Sequence, residues 1–233
     1  MKLLRINTWK VDLLFLIGVV SFFFSCVMTS FYEARTLDKG QGSISGTYMR
    51  VHNAEDLSDD PINLVGLGLR VGAGDNFDIG LNHTLDVTKN NDNAFNAFWV
   101  DCKLQLSNRE NKYNRLTFSP GLMKGYIYDS DVDLSVTSIP FYFSLPVSER
   151  FSPTFIYRHD FISNKVLPEG EEWTNPRHHF MLGGQYTLFA PKEDKWIKKL
   201  SFSIGLGNAL DGSPDGNDFL SFGLGIQLFS PGY

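Results

Sequence analysis

The sequence predicts an all-β fold, a single closed antiparallel up-and-down β-barrel of about ten strands. Three observations predict it. Short stretches alternate apolar with small polar residues at period two, which puts one kind on each face of a strand. Glycine (21) and phenylalanine (20) are both abundant among the 233 residues, which suits many turns and many apolar strand faces better than long helices. Beyond the first 25 residues no run approaches the roughly 20 apolar residues that a spanning helix needs. Alternating strands average to near neutral, so a mean hydropathy of -0.14 excludes a helical bundle and permits a barrel.

Residues 1–25 are expected to be an export signal, with Lys2, Arg5 and Lys10 ahead of the apolar run from Leu13 to Phe24. That run is too short to cross a bilayer comfortably. Phe23-Phe24-Ser25-Cys26 resembles a bacterial lipobox, which implies acylation of Cys26; the alternative is ordinary signal cleavage nearby with Cys26 incidental. Residues 26–41 show no periodicity and are expected to be a periplasmic lead-in or tether. Within them Ala34-Arg35-Thr36-Leu37-Asp38-Lys39-Gly40 resembles the segment before the first strand of outer-membrane barrel lipoproteins.

From Gly42 onward the alternation predicts strands at about 42–51, 63–72, 77–87, 95–106, 115–128, 134–145, 151–162, 177–189, 199–209 and 218–229. The third is the clearest, with Phe77, Ile79, Leu81, Leu85 and Val87 opposed to Asp78, Gly80, Asn82, Thr84 and Asp86. The second opposes Val65, Leu67, Leu69 and Val71 to Gly66, Gly68, Arg70 and Gly72, and the ninth repeats the scheme. In the tenth, Leu220, Phe222, Leu224, Ile226 and Leu228 are expected to face outward while the strand closes against the first. If the first strand rises from the periplasm, the longest connection, 163–176, is an outer loop, and an even strand count leaves both termini on the periplasmic side.

Alternation alone does not tell which face is outside. The polar face decides it, because it carries Gly, Ser, Thr, Asn and Gln with isolated charges where a water-facing surface would carry many lysines and glutamates. Small polar residues suit a crowded lumen. Aromatic residues recur near strand ends, and Phe77, Tyr126, Phe151, Phe161, Phe180, Phe219 and Phe229 are candidates for interfacial girdles. In these respects residues 42–233 resemble the small outer-membrane β-barrel proteins of Gram-negative bacteria. That resemblance implies the cell outer membrane as location, outer-membrane lipid and the barrel-assembly machinery as partners, and a role for the terminal aromatic Tyr233 in assembly.

A ten-stranded barrel is only slightly wider than one whose interior side chains just fill, so a wide pore is not expected. Arg70, Asp78, Asp86, Asp101, Lys103, Arg158 and Asp160 share the inward parity, and their mixed signs predict a charge network across the lumen. Arg158-His159-Asp160 and Arg177-His178-His179 flank the longest outer loop, which would bring Asp160 and His179 together on adjacent strands. A carboxylate beside an imidazole is a general-base arrangement, so a rim hydrolase acting on lipid or peptide is one alternative, and a salt bridge between loop ends is the other. No serine in a nucleophile motif accompanies them. Asp129, Asp131 and Asp133, and the stretch 211–217, have alternating oxygen ligands but lack the length and closing Glu of a calcium loop.

The expected function is accordingly a structural or surface-interaction role in the outer membrane, with no cofactor and no metal. A periplasmic small-molecule-binding barrel with its faces reversed is the remaining alternative. The net charge of -5 and the lack of a basic stripe set nucleic acid aside. Cys102, the other cysteine, reads as a small apolar residue on a strand face.

Overall fold

The structure, a computed structural model, describes residues 33–53, 60–88, 96–107, 115–128, 133–148, 150–166, 177–188, 197–208 and 219–229. The export signal, Cys26, most of the acidic stretch at 129–133, the stretch 211–217 and the end at Tyr233 lie outside the described residues. The described residues form ten strands: β1 (Gly42–Asn53), β2 (Ile62–Gly74), β3 (Phe77–Asp86), β4 (Asn96–Leu104), β5 (Thr117–Tyr128), β6 (Asp133–Ser144), β7 (Phe151–Val166), β8 (Arg177–Thr187), β9 (Ile197–Asn208) and β10 (Phe219–Phe229). Every strand pairs antiparallel with its neighbours in the chain, so the architecture is all-β and up-and-down. β1 also pairs with β10, from Ser43 opposite Phe229 to Asn53 opposite Phe219, and the sheet is a closed barrel. Gly42 and Phe229 therefore share one end, here the near end; Asn53 and Phe219 mark the far end.

The pattern that forms the strands also sorts their faces. On β2, Leu67, Leu69 and Val71 are exposed, while Leu64, Gly66, Gly68, Arg70 and Gly72 are buried. On β3, Ile79 and Leu81 face out and Asp78, Gly80 and Asn82 face in. On β10, Ile226 is exposed and Ser221, Gly223, Gly225 and Gln227 are buried. The buried side of the sheet is the polar one. Phe229 is a correction to the expected girdle: it is 7% exposed and inward, because period two sends it opposite to Leu228. Of the other candidates, Tyr126, Phe161 and Phe180 are exposed as a girdle requires.

The lumen is less uniformly polar than the small residues of β2 and β3 imply. Met49, Val51 and Leu64 form an apolar cluster toward the far end, and Ala97, Trp99, Met123, Val136, Tyr142, Ile156 and Met181 form a second one. Methionine fits such irregular interiors because its unbranched side chain adapts to the gap left by its neighbours. Trp99 needs that gap built for it: its ring lies against Gly125, its register partner on β5, and any β-carbon at position 125 would run into the ring. Gly125→Leu is expected to destabilise the barrel by about 1–3 kcal/mol or more through overpacking. The measurement is the midpoint of urea unfolding in detergent, which should fall without a change of slope.

Candidate functional site

The site is the lumen, and its near end is closed by the chain itself. Where a free tether is expected before β1, residues 33–41 instead turn back into the barrel mouth. Ala34 is 0% exposed, and Thr36 and Leu37 are buried. The Ala34 amide donates to Ser144 Oγ of β6 (2.8 Å), and its carbonyl accepts from Ser119 Oγ of β5 (2.5 Å). The Thr36 amide donates to Gln105 Oε1 (3.0 Å), just beyond β4, and the Leu37 amide donates to Asp78 Oδ2 of β3 (3.2 Å). An extended strap has an unpaired amide and carbonyl at every residue, and in a buried place each must find a partner. The inward serines, glutamine and aspartate at the ends of four strands provide them.

Two glycines let the strap enter. Gly40 has a φ of 77°, a conformation that other residues adopt with strain, and its amide donates to the Gly72 carbonyl at 2.8 Å. The Gly72 amide returns a bond to the Gln41 carbonyl at 2.9 Å. A β-carbon at position 72 would occupy the place of the Asp38 carbonyl. β2 thus ends in glycine where another backbone passes.

Above the strap lies the charge network. Arg70 of β2 bridges Asp78 of β3 and Asp101 of β4, one guanidinium nitrogen to each carboxylate, and Asn82 donates from Nδ2 to Asp101 Oδ2 at 2.9 Å. Lys103 Nζ lies 3.7 Å from Asp78 Oδ2 and donates to the carbonyls of Glu33 (2.7 Å) and Arg35 (3.0 Å) on the strap. These four charged residues are each at most 4% exposed, and two cations face two anions. Burial of this kind is tolerable only because the signs cancel and the hydrogen bonds are made. Lys103 also stands over the Tyr142 ring, 5.4 Å from its centre.

The second cluster lies farther up, on β7 and β8. Arg158 Nη2 donates to Asp160 Oδ2 at 2.5 Å, and His179 Nε2 lies 3.1 Å from the same oxygen. Arg158 also stacks its guanidinium 5.8 Å from the centre of the Trp99 ring. Asp160 and His179 do meet, as their positions around the long connection imply, but in the arrangement of a buried ion cluster. The carboxylate oxygen facing the imidazole is shared with an arginine, and Ser138, opposite Asp160 in register, is fully buried. Asp86 is apart from both clusters, accepting from the amide (2.9 Å) and hydroxyl (2.5 Å) of Thr88 at the far end of β3. Among the described residues no three His, Cys, Asp or Glu side chains gather as metal ligands.

Six of the seven inward charges expected from parity thus enter two clusters, and the seventh binds its own turn. The strap's partners Ser119, Ser144 and Gln105 carried no chemical signature beyond their inward parity. Trp99 and three of the five methionines, Met49, Met123 and Met181, sit on the inward parity too, and that was the available sign of an apolar layer inside.

No protein-family model matches the chain, and no curated protein matches it. Among solved structures it is similar to the N-terminal β-barrel domain of Pseudomonas aeruginosa OprF, with 11% identity over 83% of this chain and 100% of that one at a TM-score of 0.36. It is also similar to Ail, the attachment invasion locus protein of Yersinia pestis, with 8% identity over 82% of this chain and 99% of that one at a TM-score of 0.27. Likenesses this weak leave the function to be read from the residues.

Proposed function

We propose that this chain is an outer-membrane β-barrel that spans the bilayer with ten strands closed in a ring, serves a structural or surface-interaction role, and passes no solute of porin size. The inverted faces carry the reading. Leu67 (58% exposed), Leu122 (54%), Leu182 (61%) and Ile226 (48%) are spread around the outside of the barrel, while arginine, lysine, aspartate and asparagine are buried within. A protein in water does not hold an apolar band around its girth, and a ligand-binding barrel in water needs the opposite arrangement. The aromatic side chains on the outer face of β5 to β8 extend the argument, with Phe118 against Phe143 at 4.8 Å and Tyr157 against Phe180 at 5.3 Å between ring centres.

The filling of the lumen supports the absence of a wide pore. The strap and the Arg70 network occupy the near end, Trp99 and Arg158 the middle, and Met49, Val51 and Leu64 the far end. With the first strand rising from the periplasm, the strap and any lipid on Cys26 belong to the periplasmic side. The test has two parts. The protein is expected in the outer-membrane fraction, released by detergent and migrating differently on gels before and after heating. Reconstituted in planar bilayers, it is expected to show no steps of general-porin size; such steps would overturn the closed lumen, and recovery without detergent would overturn the membrane barrel.

A further inference from the structure

The outer face of β7 and β8 carries a group that the closed lumen does not use. His159 and His178 are direct cross-strand partners, and their Nδ1 atoms lie 3.2 Å apart. The Tyr157 hydroxyl lies 2.7 Å from the same His178 Nδ1. The rings are held in place: His178 stacks on Tyr157 with centres 5.9 Å apart, and His159 meets the edge of Phe161 at 4.5 Å. All three residues are half-buried, at the end of the sheet where β8 begins.

Two imidazole nitrogens from two strands therefore face each other, and the Tyr157 hydroxyl makes a hydrogen bond to one of them that a bound ion would replace. Imidazole nitrogens are ligands for zinc, copper and nickel, and two of them bound at about 2.0–2.1 Å to one ion stand about 2.9 Å apart when cis in a tetragonal site and about 3.3 Å apart in a tetrahedral one. The observed 3.2 Å spacing lies between those values, so either geometry would need only a few tenths of an ångström of ring movement. The backbone pairing holds the two residues opposite each other, which lowers the ordering cost that binding would otherwise incur.

We propose that His159 and His178, with the Tyr157 oxygen as third donor, form a binding site for one late first-row divalent cation, copper(II) above nickel(II) and zinc(II), on the outward face of the barrel. Water or an external ligand completes the coordination. A bound ion ties β7 to β8 beside the longest connection of the chain and stabilises the folded barrel by mass action.

The test uses the full-length protein without a histidine tag, purified in detergent and titrated with copper(II) alone. One ion per chain is expected, with nitrogen hyperfine splitting from two imidazoles in its electron paramagnetic resonance spectrum. His159→Ala and His178→Phe are each expected to weaken binding by at least about tenfold, Tyr157→Phe by a smaller factor, and His83→Ala on β3 not at all. His178→Phe keeps an aromatic ring on Tyr157, and heat-modifiable migration verifies that each variant is folded. Absence of stoichiometric binding to the unsubstituted protein would overturn the site, as would undiminished binding by a folded H159A/H178F double variant.

Discussion

Replacing Arg70 by methionine is expected to destabilise the barrel by about 3–5 kcal/mol, because it leaves two buried carboxylates without their common partner. Asp78 is 0% exposed and Asp101 is 2% exposed, so neither can turn to water. Lys103 is 3.7 Å from Asp78, too far to replace a direct guanidinium bond, and it is already engaged with the strap. The sign of the effect depends on what is removed. Taking out the whole set in R70M/D78N/D101N removes the charges together, and it is expected to recover most of the loss, since replacing a buried ion cluster entire is often close to neutral. Urea titration in detergent, followed by tryptophan emission and by heat-modifiable migration, measures both. Equal stability of the single and triple variants would show that the two unpaired carboxylates are not the source of the loss.

Gly72→Val is expected to expel the strap while leaving the barrel's charges untouched. The new β-carbon would claim the space of the Asp38 carbonyl, and backbone on both sides cannot yield as a flexible side chain would. Ala34, fully buried in the unaltered protein, reports the result. In a Cys26→Ser/Cys102→Ser background, Ala34→Cys is expected to react slowly with a membrane-impermeant thiol reagent, and at least about tenfold faster once Gly72→Val is added, corresponding to about 1.4 kcal/mol of opening. Unchanged labelling would mean that the strap has other means of staying in the mouth. The Lys103 ammonium would meanwhile lose the carbonyls of Glu33 and Arg35, and its burial without them is costly, so water is expected to enter the near end.

Much of the architecture is legible in the residues. Strand positions read from alternation differ from the observed ones by a few residues at most, the largest difference being at β7, which runs to Val166 where the alternation ends at about 162. The faces of β2, β3 and β10 follow from parity alone, as does the inward set from Arg70 to Asp160. Asp160 and His179 could be paired because a hairpin across the long connection leaves little freedom of register. Their chemical meaning was not legible: whether the carboxylate serves an imidazole or an arginine depends on rotamers and on Trp99 from a distant strand.

Sequence by itself therefore determined the period of two, the sign of each face and the charges that must be hidden, because these depend on side-chain chemistry repeated along a single strand. The tertiary structure alone decided that residues 33–41 close the mouth. The strap is held by its own amides and carbonyls, at Ala34, Glu33, Arg35 and Leu37, and every residue carries those groups alike, so no composition or spacing announces the contact. Tertiary structure also decided which inward residues meet. Partners such as Arg70 and Asp101 come from strands not adjacent in the sheet, and their levels are set by the stagger of a closed barrel, which no single strand encodes.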